Sequence, residues 1–233
     1  MKTTSYFSEG NKKLIHCGNT YRIRVASFDL LSGVTCPAAS LCHSEIEIVD
    51  GKRKVVDYGQ FRCYATSTEA LYPAVYEMRK NNGLLAKSDN FINTIHSEIK
   101  RLGLTSVRIH SSGDMFSPEY MKKWIQIARM SPDVEFWGYT KMATYVKFLN
   151  AEPNMFFVYS VGGIFDNYAT KYNLPSCYVI TSYNQAVELG VDVACEAEYK
   201  SNDYEYILRG ESFSLMIHGT QKAGSKKNLP VTF

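Results

Sequence analysis

The chain has 233 residues, 45% hydrophobic and 21% charged, and its 26 Lys plus Arg against 23 Asp plus Glu give a formal charge of +3. That length suits one medium domain or two small ones, and the apolar content excludes a disordered chain. No apolar run approaches the roughly 20 residues of a membrane helix, and Met1–Lys13 is polar without a signal-peptide core, so a cytoplasmic protein with no membrane partner is expected.

Taken in chain order, residues 1–26 read as a peripheral hairpin, with Lys13–Cys17 and Tyr21–Ala26 flanking the turn pair Gly18-Asn19. Ser27–Leu31 reads as a short strand. Residues 34–66 read as a long irregular cysteine loop with Cys36, Cys42 and Cys63, into which a small hairpin over 45–58 is inserted around Asp50-Gly51. Helices are expected over 68–80, ended by Asn82-Gly83, and over 88–102, stopped by Gly103. Val107–His110 reads as a strand. Ser117-Pro118 caps and opens a helix to Met130. Then come a strand over 134–139, a helix over 142–149, and a strand over 155–160 that runs into Gly162-Gly163. A strand over 177–181, a helix over 182–189 ended by Gly190, and strands over 191–194 and 213–217 follow. The tail, 221–233, is polar and basic and is expected to be loose.

Strands alternating with helices imply a parallel sheet with helices outside it. The chain is short of the roughly 250 residues typical of an eight-fold barrel. The expected fold is therefore α/β: a partial (β/α)6 TIM-like barrel of mainly parallel strands, one barrel-like domain over 1–233. In such folds the functional residues gather at the carboxyl ends of the strands. At those ends stand the cysteine loop, His110-Ser-Ser-Gly-Asp114, Tyr139-Thr-Lys141, Ser160-Val-Gly-Gly163, Thr181-Ser182, Cys195-Glu196 and His218-Gly-Thr220.

Six cysteines in a reducing compartment do not read as a disulfide framework. Cys17, Cys177 and Cys195 lie in expected strands and read as core. Cys36, Cys42 and Cys63 lie in a loop rich in Gly, Pro and Ser, where three thiolates can wrap one zinc or one iron–sulfur cluster. His43 is available as a fourth ligand for a closed three-Cys, one-His zinc site. Asp114 reads either as a helix cap, for which Ser117 is the better residue, or as a carboxylate that binds an ammonium group or acts as a base. His110 and His218 admit a structural or a functional reading. Lys141 reads as a partner for a carboxylate or phosphate, or as a solvated strand end. Gly162-Gly163 leaves room for a close approach by a ligand or by backbone.

The run Val107-Arg-Ile-His-Ser-Ser-Gly-Asp-Met-Phe-Ser-Pro-Glu-Tyr120, with Trp124, Pro132-Asp-Val-Glu-Phe136, Tyr139-Thr-Lys141, Cys36-Pro37, Cys42 and Cys63-Tyr-Ala65, resembles the bacteriophage gene 88 protein family. The likeness spans roughly 28–219 and implies a phage or prophage origin. The three-cysteine loop after the first barrel strand also resembles radical S-adenosylmethionine (SAM) enzymes. That likeness implies a [4Fe–4S] cluster on Cys36, Cys42 and Cys63, with SAM on its open iron. It also implies that Ser112-Gly113-Asp114 holds the cofactor's ammonium group, with Asp for the family's Glu. Thr140-Lys141 and Ser160-Val-Gly-Gly163 resemble what those enzymes carry after their third and fourth strands, so Tyr139, Thr140, Ser160, Gly162 and Gly163 are expected cofactor contacts. His110, Asp114 and Lys141 are the expected catalytic groups, and a nucleotide or nucleic acid is the expected substrate. The cysteine gaps are five and twenty residues where that family has three and two, so Ser44–Arg62 would be an insertion between ligands. Ser111–Phe116 and Val161–Ile164 faintly resemble segments of queuine-type transglycosylases, which act on nucleic acid and carry a cysteine-bound zinc. Their nucleophilic Asp is Ser111 here. A third reading is a non-enzymatic phage protein that binds a host factor through exposed Tyr residues and the basic tail.

Overall fold

The structure is a computed structural model that describes residues 5–197, 200–201 and 203–217. A nine-stranded sheet runs in the order β1 (Phe7–Ser8), β2 (Val25–Phe28), β5 (Ser106–Ile109), β6 (Glu135–Thr140), β7 (Met155–Ser160), β8 (Ser176–Ile180), β11 (Phe213–Met216), β9 (Asp192–Ala197), β10 (Lys200–Ser201). From β2 to β9 every neighbour is parallel, and the two edge pairs, β1·β2 and β9·β10, are antiparallel. The α/β expectation with a mainly parallel sheet therefore holds. A TIM-like barrel, expected as a partial and open one, is not shown: among the described residues the sheet ends at β1 and β10 and is not closed. The strand order also departs from a sequential barrel, because β11 lies between β8 and β9.

The opening segment corrects the expected hairpin. Lys12–Tyr21 is a helix, α1, whose Asn11 side chain accepts the Lys13 N–H at 2.9 Å. Leu14 and Cys17, one turn apart, are its buried side chains, so the helical period outweighs the Gly18-Asn19 turn pair. The inserted hairpin is present as β3 (Ser44–Val49) and β4 (Lys52–Asp57), turning on Asp50 and Gly51, both at positive φ. The helix expected over 68–80 is two helices, α2 (Tyr64–Leu71) and α3 (Pro73–Lys87). Pro73 enforces the break, because it lacks the N–H a continuous helix needs there. Asn82 and Gly83 lie inside α3 and do not end it; the Asn82 amide donates to the carbonyls of Tyr6 and Asp29, each at 2.9 Å.

The helices α4 (Phe91–Leu102), α5 (Pro118–Met130), α6 (Ala143–Leu149) and α8 (Tyr183–Leu189) fall where the periodicity places them. Ser117 caps α5 by accepting the Tyr120 N–H at 3.2 Å. Two further helices, α7 (Asp166–Lys171) and α9 (Asp203–Arg209), have no counterpart in the sequence reading. The expected loose tail, 221–233, and His218 lie outside the described residues. Among those described, no helix is long and apolar enough to cross a membrane.

Strand alternation assigns the two faces of the sheet. Phe28, Val107, Ile109, Phe136 and Phe157 pack against Ile95 and Ile99 of α4 and Trp124 and Ile127 of α5. Val25, Trp137, Val158, Cys177 and Phe213 face the other way, against Leu14 and Cys17 of α1 and Tyr204 and Ile207 of α9. Both faces are thus covered, as a parallel sheet requires. The loops after β2, β5, β6 and β7 meet at the strands' carboxyl ends.

Candidate functional site at the carboxyl ends of the strands

The site is built from four loops tied together by buried polar groups. After β2, the Asp29 carboxylate accepts the Ser111 N–H at 2.7 Å and the Ser27 hydroxyl at 3.2 Å, and the Leu30 N–H donates to the Ser112 carbonyl at 2.9 Å. The next turn is held by Glu69 of α2, whose buried carboxylate accepts the Ser32 N–H (3.0 Å), the Ser32 hydroxyl (2.8 Å) and the Ser112 hydroxyl (3.1 Å). The Arg79 guanidinium of α3 pairs with Glu69 at 2.8 Å and stands 3.6 Å from Asp29. Ser112, read from the sequence as a cofactor contact, is thereby committed to Glu69. None of Asp29, Glu69 or Arg79 stood out in the sequence, because lone charges on loops and helices carry no periodic signal.

His110 follows β5 with φ 70, a left-handed conformation that permits the sharp exit of the chain from the sheet. Its Nε2 meets the Tyr120 hydroxyl at 2.9 Å and the two rings stack, while Nδ1 is buried without a partner. Burial pushes the imidazole pKa down to about 3, so the ring is neutral at pH 7. Gly113, at φ 84, lies where a Cβ would stand 2.5 Å from the Leu30 Cβ and 2.6 Å from the Thr35 hydroxyl. It is glycine so that the cysteine loop can pass.

Asp114 is buried and joins two strand ends. Its Oδ1 accepts the Met115 N–H and the Thr140 hydroxyl, each at 2.6 Å, and its Oδ2 accepts the Lys141 N–H at 2.8 Å. Burial raises its pKa, with the bonds from Thr140, Lys141 and Met115 pulling the other way. Lys141, 8% exposed, spends its ammonium on the Ser160 carbonyl (3.0 Å), the Ser160 hydroxyl (3.2 Å) and the Val161 carbonyl (2.9 Å). It links β6 to β7 and is not a solvated strand end.

Gly162 and Gly163 do not leave their amides open. Both N–H groups donate to Asp166 Oδ1, at 3.0 and 3.1 Å, and the Tyr159 hydroxyl joins them at 2.6 Å. The close approach they permit is by the cysteine loop. Leu41 N–H donates to the Gly162 carbonyl at 3.0 Å and Ile164 N–H to the Ala38 carbonyl at 3.0 Å, around an antiparallel Ala39–Gly163 bridge. Tyr139 points to the other face of the sheet, where its hydroxyl donates to Asp203 Oδ2 at 2.5 Å.

The cysteine loop lies over these ends. None of the three is in a disulfide, and they share one electrostatic neighbourhood. The Cys36 thiol pKa is pushed well up by burial, and then by Asp114, Cys63 and Cys42. That of Cys63 is pushed up to about 11, by burial and then by Cys42. The Cys63 N–H donates to the Ser44 hydroxyl at 3.1 Å, so the inserted β3–β4 hairpin closes on itself and returns the chain at Cys63 to Ser44, two residues from Cys42. His43 is turned aside: Nε2 meets Glu45 at 3.0 Å and the ring packs on Tyr58. Among the described residues, no three His, Cys, Asp or Glu side chains are gathered at metal-holding spacing. Cys17 and Cys177 are buried in the core, as expected, and the side chain of Cys195 lies outside the described residues.

Comparison with known proteins bears on the whole chain. Two relatives, each called gene 88 protein and coming from Mycobacterium phages L5 and D29, are 32% identical over 101 residues. Those matches cover 39% of this chain and 42% of each relative, so the aligned part is less than half of their length. No solved structure matches. The family model described as gene product 88 matches residues 4–228, and the chain belongs to that family.

Proposed function

We propose that this phage-type protein carries an iron–sulfur cluster on Cys36, Cys42 and Cys63 and works as a radical-SAM-like enzyme on a nucleotide or nucleic acid. One observation carries the reading. Cys36, Cys42 and Cys63, separated by five and twenty residues and none of them in a disulfide, share one electrostatic neighbourhood with Asp114 at the carboxyl edge of a parallel sheet, although their side chains do not stand at metal-holding spacing. The donor set fits: thiolates are the ligands such clusters take, and three of them leave one iron open. When bound, the cluster would supply one electron to a cofactor on that open iron. The chain's own residues would fix the surroundings. Asp114 and Lys141 hold the strand ends in register, Gly113, Gly162 and Gly163 seat the loop, and His43 is engaged by Glu45 instead of closing a fourth position.

The test is metal and sulfide analysis with visible absorbance on protein purified without oxygen. Iron with matching sulfide, broad visible absorbance that bleaches on reduction, and loss of both in Cys36→Ser support the reading. Stoichiometric zinc in a colourless protein overturns it. A metal content unchanged by Cys36→Ser and Cys63→Ser removes these residues as ligands.

A further inference from the structure

On the face of the sheet opposite the α4–α5 layer, β5 carries a charge where a buried strand ordinarily carries an aliphatic residue. Arg108, between Val107 and Ile109, is 7% exposed. Its guanidinium carbon lies 5.3 Å from the ring centres of both Trp137 and Tyr139, which stand two residues apart on β6. Its Nε is sealed from water without a partner, and among the described residues the guanidinium is faced by these two rings. The carboxylates in electrostatic range, Asp29 and Asp203, have other donors. Asp29 accepts Ser111 and Ser27, and Asp203 accepts Tyr139 at 2.5 Å and the Tyr204 N–H at 3.1 Å.

A buried guanidinium whose Nε is sealed from water and unpartnered is costly unless something completes it. The fork fits a planar or tetrahedral oxyanion in two-point contact, and the aromatic rings fix its plane. We infer that Arg108 is an oxyanion-recognition residue that receives the carboxylate or phosphate group of a small-molecule ligand on the sheet face lined by Trp137 and Tyr139. The site is too buried to track a nucleic-acid backbone, so the ligand is a small molecule or a single protruding group. The inference does not depend on the metal reading, because its residues are on β5 and β6 and not in the cysteine loop.

The test is calorimetric titration of the whole chain with inorganic phosphate and, separately, with acetate, alongside tryptophan emission, with chloride as the ionic-strength control. The expected result is saturable binding of one anion with a change in emission from Trp137. Binding of phosphate alone identifies a phosphorylated ligand, and binding of acetate alone a carboxylate. Arg108→Gln abolishes binding. Arg108→Lys keeps the charge, loses the fork, and weakens binding on the order of tenfold, the worth of one charge-assisted hydrogen bond. Absence of saturable binding of either anion overturns the inference, as does equal affinity in Arg108→Gln. Should Arg108→Gln fail to fold, unchanged affinity in Arg108→Lys overturns it.

Discussion

The Asp114 carboxylate accepts the Lys141 N–H at 2.8 Å while the Lys141 ammonium reaches the Ser160 carbonyl at 3.0 Å, so one acid and one base pass the ends of β5, β6 and β7 along a single chain of bonds. Asp114→Asn keeps the shape but offers one carbonyl oxygen where two carboxylate oxygens served. Either the Met115 or the Lys141 N–H loses its acceptor. The expected cost is about 1–3 kcal/mol, the penalty of one buried unsatisfied donor. Urea unfolding at pH 7 checks it, and a midpoint equal to wild type would show that Asp114 does not hold the strand ends.

The cysteine loop depends on glycine at 163. A Cβ there would stand 2.8 Å from the Ala38 carbonyl oxygen and 3.0 Å from the Tyr159 hydroxyl. The first contact is backbone and cannot rotate away. Gly163→Ala should therefore lift the loop, destabilise the protein by about 1–3 kcal/mol as overpacking does, and speed alkylation of Cys42 by iodoacetamide in the native state. Labelling at the wild-type rate would mean that the Ala38–Gly163 contact does not seat the loop.

His110 makes stability depend on acid. Its pKa falls from 6.5 to about 3 on folding because burial disfavours the charged ring. Between those values the unfolded chain binds the proton that the folded chain refuses. The contribution is thus fully present above pH 6.5 and is lost as pH falls toward 3. His110→Asn, which tolerates the left-handed backbone, should flatten that part of the profile. Urea midpoints at pH 7 and pH 4.5 for both proteins measure the difference, and parallel profiles would contradict it.

Much of the fold is legible in the residue pattern because strand and helix periods are local. The run of apolar strands after residue 105, the Ser117-Pro118 cap and the hairpin at Asp50-Gly51 all lie where the pattern puts them. The first helix is the instructive miss. Gly18-Asn19 is a good turn pair in isolation, but Leu14 and Cys17 are buried in the cluster that also holds Val25, Trp137 and Phe213, and that tertiary packing decides for helix. The short helices α7 and α9 escaped for a related reason, since six or seven residues give too few turns for a period to show. Arg108 had one signal, a charge inside an apolar strand, but its unpartnered Nε is visible only once the neighbouring strand is in place.

By itself the sequence determined the α/β class, the strand ends that carry polar residues, the cysteines that share one loop and the likeness to gene 88 proteins. Only the tertiary structure decided what those residues do to one another. It gave Asp114 three donors, spent Lys141 on Ser160 and Val161, filled the space at Gly162-Gly163 with the cysteine loop and turned His43 to Glu45. It also left the sheet unclosed and set β11 between β8 and β9. The reason is physical: periodicity is written between near neighbours, whereas hydrogen-bond partners and strand order are settled by burial of polar groups far apart in the chain.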